Sequence, residues 1–139
     1  MGDIHILMTV MRWIHISSVI TLIGGVVFWR FVMDPSTKKI TPEDYRELEE
    51  GAAAHFRPVV WVAMTTLLIS GIFNYLTKGS MSTLYQIMIG IKLLLVLHVL
   101  SVLILATAKD NARRGRQLFG AAVSGMIIVL ISAFLKGIG

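Results

Sequence analysis

Two stretches of this chain, Val59 to Thr77 and Gln117 to Leu135, each run for 19 residues without a formal charge. A helix of about 20 predominantly apolar residues crosses the ~30 Å hydrocarbon core of a bilayer, so both read as spanning helices. Two further runs share this character. The first, near residues 7–33, holds Arg12 and Arg30 toward its ends, where long side chains snorkel to the interface. The third, near residues 84–108, holds Lys92 and His98 within it. Spans are expected at about 8–33, 56–77, 84–108 and 117–136. The fold class is therefore all-α, an integral membrane four-helix bundle forming one domain over residues 1–139. Composition agrees, since 15% of residues are charged and 55% hydrophobic, against about 25% charged in an ordinary soluble domain.

The formal net charge of +5 raises nucleic acid as a partner, but the placement of the charges explains it better. Lys38, Lys39, Arg46 and Arg57 fall between the first two spans, and Lys109, Arg113, Arg114 and Arg116 between the last two. The opposite side has little beyond Arg12, Lys78 and Lys136. By the positive-inside rule the two basic loops are cytoplasmic and both termini lie on the non-cytoplasmic side, giving a multi-pass protein of the cell inner (plasma) membrane. Its surrounding partner is then the lipid bilayer and not nucleic acid. Trp13 and Trp29, about 24 Å apart at the helical rise, fit two interfacial aromatic belts.

At the N-terminus, Asp3 stands where a secretory signal would be basic, and no small-residue cleavage site follows the apolar run, so the segment is expected to be retained as the first helix. Without cysteine there are no disulfides, thiolate metal sites or cysteine nucleophiles. Chemistry falls to His, Met, Lys, Arg or a carboxylate.

Between Asp34-Pro35 and Pro58 the chain turns polar. Thr41-Pro42-Glu43-Asp44 carries an N-cap, a proline at the first helical position and acids in the first turn, which predicts a loop helix over about 42–54. It leads into the second span, with a kink expected near Pro58. The acids of this helix, Glu43 to Glu50, read as a solvated face. Small residues at helical spacing, Ser17, Thr21 and Gly25, then Thr66, Ser70 and Asn74, then Ala121 and Gly125, suit close helix packing.

Ionisable residues inside a bilayer are costly and mark functional sites. Three stand out: His15, Lys92 and His98. Neutral imidazoles on different helices of a bundle are fit to ligate haem iron, which makes His15 and His98 the axial candidates for haem b, with His55 a third. The absence of C-x-x-C-H excludes covalent c-type attachment. Arg12, Arg30, Arg57 or Lys92 would suit the propionates. His5, Met8, Met11 and His15 form a separate stripe on the first helix, and thioethers with imidazole suit Cu(I), the alternative metal.

The pattern Arg12-Trp13-Ile14-His15, then Gly24-Gly25, Phe28 and Arg30, with Ser70-Gly71 and the segment from Ile89 through Lys92 to His98, resembles the copper-resistance D (CopD-like) superfamily of small integral membrane proteins. That superfamily includes the HemJ-type haem-binding protoporphyrinogen oxidase. The resemblance implies that His15 and Lys92 are the functional pair, Lys92 being the catalytic group if the chain is a haem-dependent membrane oxidoreductase. The expected function is a haem b-binding redox protein, in electron transfer or in oxidation of a porphyrin-like or quinone-coupled substrate. Copper binding or transport is the alternative, and a cofactor-free structural subunit the second alternative. A homo-oligomer or a place in a larger membrane redox complex fits all three.

Overall fold

In the computed structural model, which describes residues 2–109 and 113–138, every regular element is a helix. The first, α1, spans Gly2–Phe28, runs on through a π-helical segment at Trp29–Met33 and ends in the short α2, Asp34–Ser36. The long α3 covers Pro42–Thr77, α4 covers Thr83–Ala106 and α5 covers Arg114–Ile138. Four stretches, Gly2–Ser36, Pro42–Thr77, Thr83–Ala106 and Arg114–Gly137, are each long and apolar enough to cross a membrane. This makes the chain a multi-pass, four-span helical membrane protein. Its outer surface agrees: Leu76, Leu94 and Leu130 are 70% exposed or more, an arrangement that lipid tolerates and water does not.

Local signals set the helix limits. The Thr41 side chain accepts a hydrogen bond from the Asp44 amide at 3.2 Å, capping α3 where the sequence predicts it. Ser82 caps α4 in the same way, accepting from the Tyr85 amide at 3.2 Å. The loop helix and the second span are one continuous helix of 36 residues, about 54 Å long. A ~30 Å hydrocarbon core takes little more than half of it, so its first turns project beyond the apolar layer. Pro58 sits within the helix, where its missing N–H and ring weaken a single turn.

The helices alternate in direction, so the termini share one end of the bundle and the two polar loops the other. Around the bundle α1 neighbours α3 and α5, α4 packs along α5, and α3 meets α4 over only a short stretch. Nowhere among the described residues do Cα atoms of α1 and α4 come within 8 Å, which places these two helices on a diagonal. On α1 the packing seam is Ser18, Leu22 and Val26, not the expected Ser17 and Thr21. Ser18 shares a hydrogen bond of 2.8 Å with Thr66 of α3. Gly25 lies so near Phe56 of α3 that a Cβ there would fall 2.7 Å from the ring tip, so any larger residue must displace the ring that packs on Trp29. On α5 the expected Ala121 and Gly125 are indeed buried, and Gly125 packs on Ile23.

Two sequence expectations need correction at the loop end. Trp29 is 3% exposed and is therefore a core residue, not a belt residue: it stacks on Phe56 with centroids 5.9 Å apart and lies under the Arg114 guanidinium. The acids of the loop helix are not a uniformly solvated face either. Glu49 and Glu50 accept from Arg114 at 2.7 and 3.2 Å, and Arg114 is 1% exposed. Its guanidinium also donates to the Ala106 carbonyl at 2.6 Å and the Ala108 carbonyl at 2.7 Å, while Arg57 donates twice to the Thr107 carbonyl between them. The last carbonyls of a helix have no intrahelical donor, so two arginines cap the C-terminus of α4 and tie it to α3 and α5.

Candidate functional site

Packing is uneven along the bundle, and the candidate site lies where it loosens. The buried residues of α4 are Val99, Leu100, Leu103 and Ala106, all in its loop-end half. Those of α1 begin at Ser18. Toward the terminal end, the inward faces of α1, α3 and α4 are only half-buried, and they hold Met8, Met11 and His15, then Asn74, then Met88 and Lys92.

His15 is held from α3. Its Nδ1 lies 3.2 Å from the Ser70 hydroxyl, and Ser70 is fully buried with its own hydroxyl on the Leu67 carbonyl. Gly71 leaves room for the ring, since a Cβ there would stand 3.3 Å from the imidazole Cε1. With Nδ1 occupied, Nε2 is the nitrogen available to an external ligand, the usual division of labour in a ligating histidine whose second nitrogen is fixed by the protein. Lys92 comes from the diagonal helix α4 and lies within electrostatic reach of the imidazole. It has no hydrogen bond or ion pair among the described residues. Met8 and Met11 extend the His15 stripe toward the terminal end, and Met88 stands one turn from Lys92 on its face.

The remaining residues singled out from sequence lie elsewhere. His98 is exposed on α4, about 120° around the helix from Lys92, and faces outward; the structure does not bring it to His15. His55 is exposed at the loop end, with Nδ1 on the Gly51 carbonyl at 2.8 Å. Arg57 is committed to Thr107. Arg30 is at the loop end of α1, about 22 Å along the helix from His15. Arg12, exposed one turn from His15, is the arginine nearest to it along α1. His5 is exposed, whereas Met8 and Met11 of the same stripe are half-buried. No group of three or more His, Cys, Asp or Glu side chains fit to hold a metal ion occurs among the described residues.

Sequence reasoning overlooked Ser70 as the partner of His15, reading it as a packing residue. The available signal was its position beside Gly71 on the small-residue stripe of the second span. Fold and site together define a four-span membrane bundle with a histidine on α1 and, within its electrostatic reach on α4, a lysine that has no hydrogen bond or ion pair among the described residues. Comparisons of the chain with protein-family models, with curated proteins and with solved structures each return no match.

Proposed function

We propose that this is a haem b-binding redox protein of the inner (plasma) membrane, its cofactor held in the loosely packed terminal half of the bundle. The observation that carries this reading is Lys92: a half-buried amine in an apolar helix, with no hydrogen bond or ion pair among the described residues, across the bundle from a half-buried imidazole oriented by Ser70. An unpaired cation at such depth calls for an anionic or electron-rich partner from outside the chain.

The residues present fit a haem in part. His15 supplies one imidazole with its tautomer and plane set by Ser70, and Lys92 and Arg12 supply cations for propionates. His98 and His55 are exposed on other faces, so in this reading His15 is the ligating histidine. Bound there, haem would supply one-electron chemistry; the chain's own part is to orient the ligand nitrogen and hold charge, or carry a proton, at Lys92 Nζ. The substrate class is a porphyrin-like or quinone-coupled electron donor. In this reading the basic loops are cytoplasmic and the site lies toward the outer face.

Protein expressed with ample haem and purified in detergent is expected to show a Soret band and a pyridine-haemochrome of the b type. His15→Ala should lose it and His98→Ala should keep it. Absence of haem from the wild type, or its retention in His15→Ala, would overturn the proposal. Copper is the second reading, favoured by the inward set of Met8 and Met11 on the His15 stripe. It predicts a colourless protein that retains Cu(I) and loses it when Met8 and Met11 are both replaced by leucine.

A further inference from the structure

We propose that the outer face between α1 and α5 is a binding site for one phospholipid with an anionic headgroup, in the leaflet that borders the polar loops. A groove of about 460 Å3 runs along this face, lined by Val27 and Phe31 of the first span and by Ala122, Val123, Met126, Ile127 and Leu130 of α5. Apart from backbone its walls are wholly apolar. From its loop-side mouth at Phe31 and Ala122 to Leu130 the groove follows α5 for about 12 Å, most of the ~15 Å that the acyl chains of one leaflet occupy.

Charge at the mouth selects the headgroup. The Arg30 guanidinium sits over the rings of Phe31 and Phe119, at 5.8 and 5.6 Å from their centroids, and these two rings meet edge-on at 6.1 Å. Its Nε is buried without a hydrogen-bond partner, and the guanidinium forms no ion pair within 4 Å among the described residues, Asp34 acting on it only at longer range. The nearest acid on its own helix turn, Asp34, accepts instead from the Tyr45 hydroxyl at 3.2 Å. Arg116, exposed one turn from Phe119 on α5, adds a second positive group on the approach to the mouth. A phosphodiester placed there gains charge-assisted hydrogen bonds from a guanidinium held by the two rings, with no hydrogen bond to protein among the described residues, while its acyl chain lies in the groove below. A cation at the mouth of an apolar groove nearly one leaflet deep fits a lipid better than it fits a soluble anion.

The test is native mass spectrometry of the full-length protein in detergent, offered an equimolar mixture of phosphatidylglycerol and phosphatidylcholine. The wild type is expected to retain phosphatidylglycerol preferentially. Arg30→Gln should lower that preference about fivefold, the worth of one basic residue at an anionic surface, and Arg30→Lys should preserve most of it. Val123→Trp, at an exposed groove position, should reduce retention of both lipids. Equal retention of the two lipids by the wild type, an unchanged preference in Arg30→Gln, or unchanged retention in Val123→Trp would overturn the proposal. So would displacement of phosphatidylglycerol by millimolar inorganic phosphate, which would reveal an anion site with no use for the groove.

Discussion

Replacing Arg114 by alanine should destabilise the bundle by about 3–5 kcal/mol, the range for removing one partner of a buried ionic cluster. The figure can be built from the contacts. The Ala106 carbonyl belongs to a residue with no exposure and loses its donor at 2.6 Å, at about 1–3 kcal/mol for an unsatisfied buried acceptor. The Ala108 carbonyl belongs to an exposed residue and turns to water, so it adds little. Glu49 and Glu50, 19% and 27% exposed, rehydrate in part, and with solvent screening their two ion pairs contribute on the order of 1 kcal/mol together. Loss of the guanidinium over Trp29, 5.9 Å from the ring, and of the packed alkyl stem adds about 1–2 kcal/mol. Arg114→Lys keeps the charge but serves fewer acceptors and should cost roughly half as much. Glu50→Gln, at the longest of these bonds, should cost under about 1 kcal/mol. Unfolding in mixed micelles of rising dodecyl sulfate fraction, followed by Trp29 fluorescence in a Trp13→Phe, Trp61→Phe background, measures all three, since Trp29 lies under the substituted side chain. A loss below 1 kcal/mol in Arg114→Ala would show that this cluster does not hold the loop end together, and a loss in Glu50→Gln exceeding that of Arg114→Ala would show that Arg114 is not its centre.

Two further substitutions probe the fold and the site by the same assay. Gly25→Ala places a Cβ 2.7 Å from the Phe56 ring and should cost about 1–3 kcal/mol, whereas Gly24→Ala meets nothing within 4 Å and should be neutral or slightly stabilising; equal effects would refute the close packing of α1 on α3. Lys92→Met removes an intramembrane cation that has no hydrogen bond or ion pair among the described residues and should stabilise the bundle, by no more than the roughly 2.5–3.5 kcal/mol such a charge costs at mid-membrane, while, on the proposed haem reading, weakening haem retention; a destabilised variant would mean that Lys92 has a structural partner.

The spans were legible because run length alone defines them, and the start of α3 because Thr41 and Pro42 announce it. Which face of each span turns inward was not. In a soluble helix the apolar side is the buried side, but lipid is as apolar as the core, so the periodicity that orients a helix in water is missing here. His15 and His98 therefore looked equivalent, and only the packing separates the half-buried one from the exposed one. The error at Ser17 and Ser18 has the same origin, since small residues mark a seam without saying which of two adjacent stripes it follows. Arg114 and Trp29 were misread for another reason: position near a span's end predicts an interface, yet the carbonyls that end α4 and the acids of α3 gather around Arg114, a tertiary arrangement that a charge count along the chain does not contain.

The contrast between the two ends bears on how a ligand reaches His15. At the loop end, Arg57 and Arg114 fix the last carbonyls of α4 to α3 and α5, so that end resists separation. Beyond Val99 toward the terminal end α4 has no buried residue, and its principal neighbour is α5, not α1 or α3. Because α4 packs along α5 and makes no close approach to α1, α4 and α5 can shift together and move Lys92 relative to the His15 and Ser70 pair without breaking an α1–α4 seam. Entry of a bulky planar molecule between α1 and α4 then needs no preformed closed cavity, only a widening of the gap between two helices that do not pack on each other. Arg30 lies about 22 Å from His15 along α1, and its groove opens on the outer face between α1 and α5, whereas Ser70 and Lys92 come from α3 and α4. Lipid bound there leaves the His15 site untouched, so the haem assay and the lipid assay fail or succeed independently.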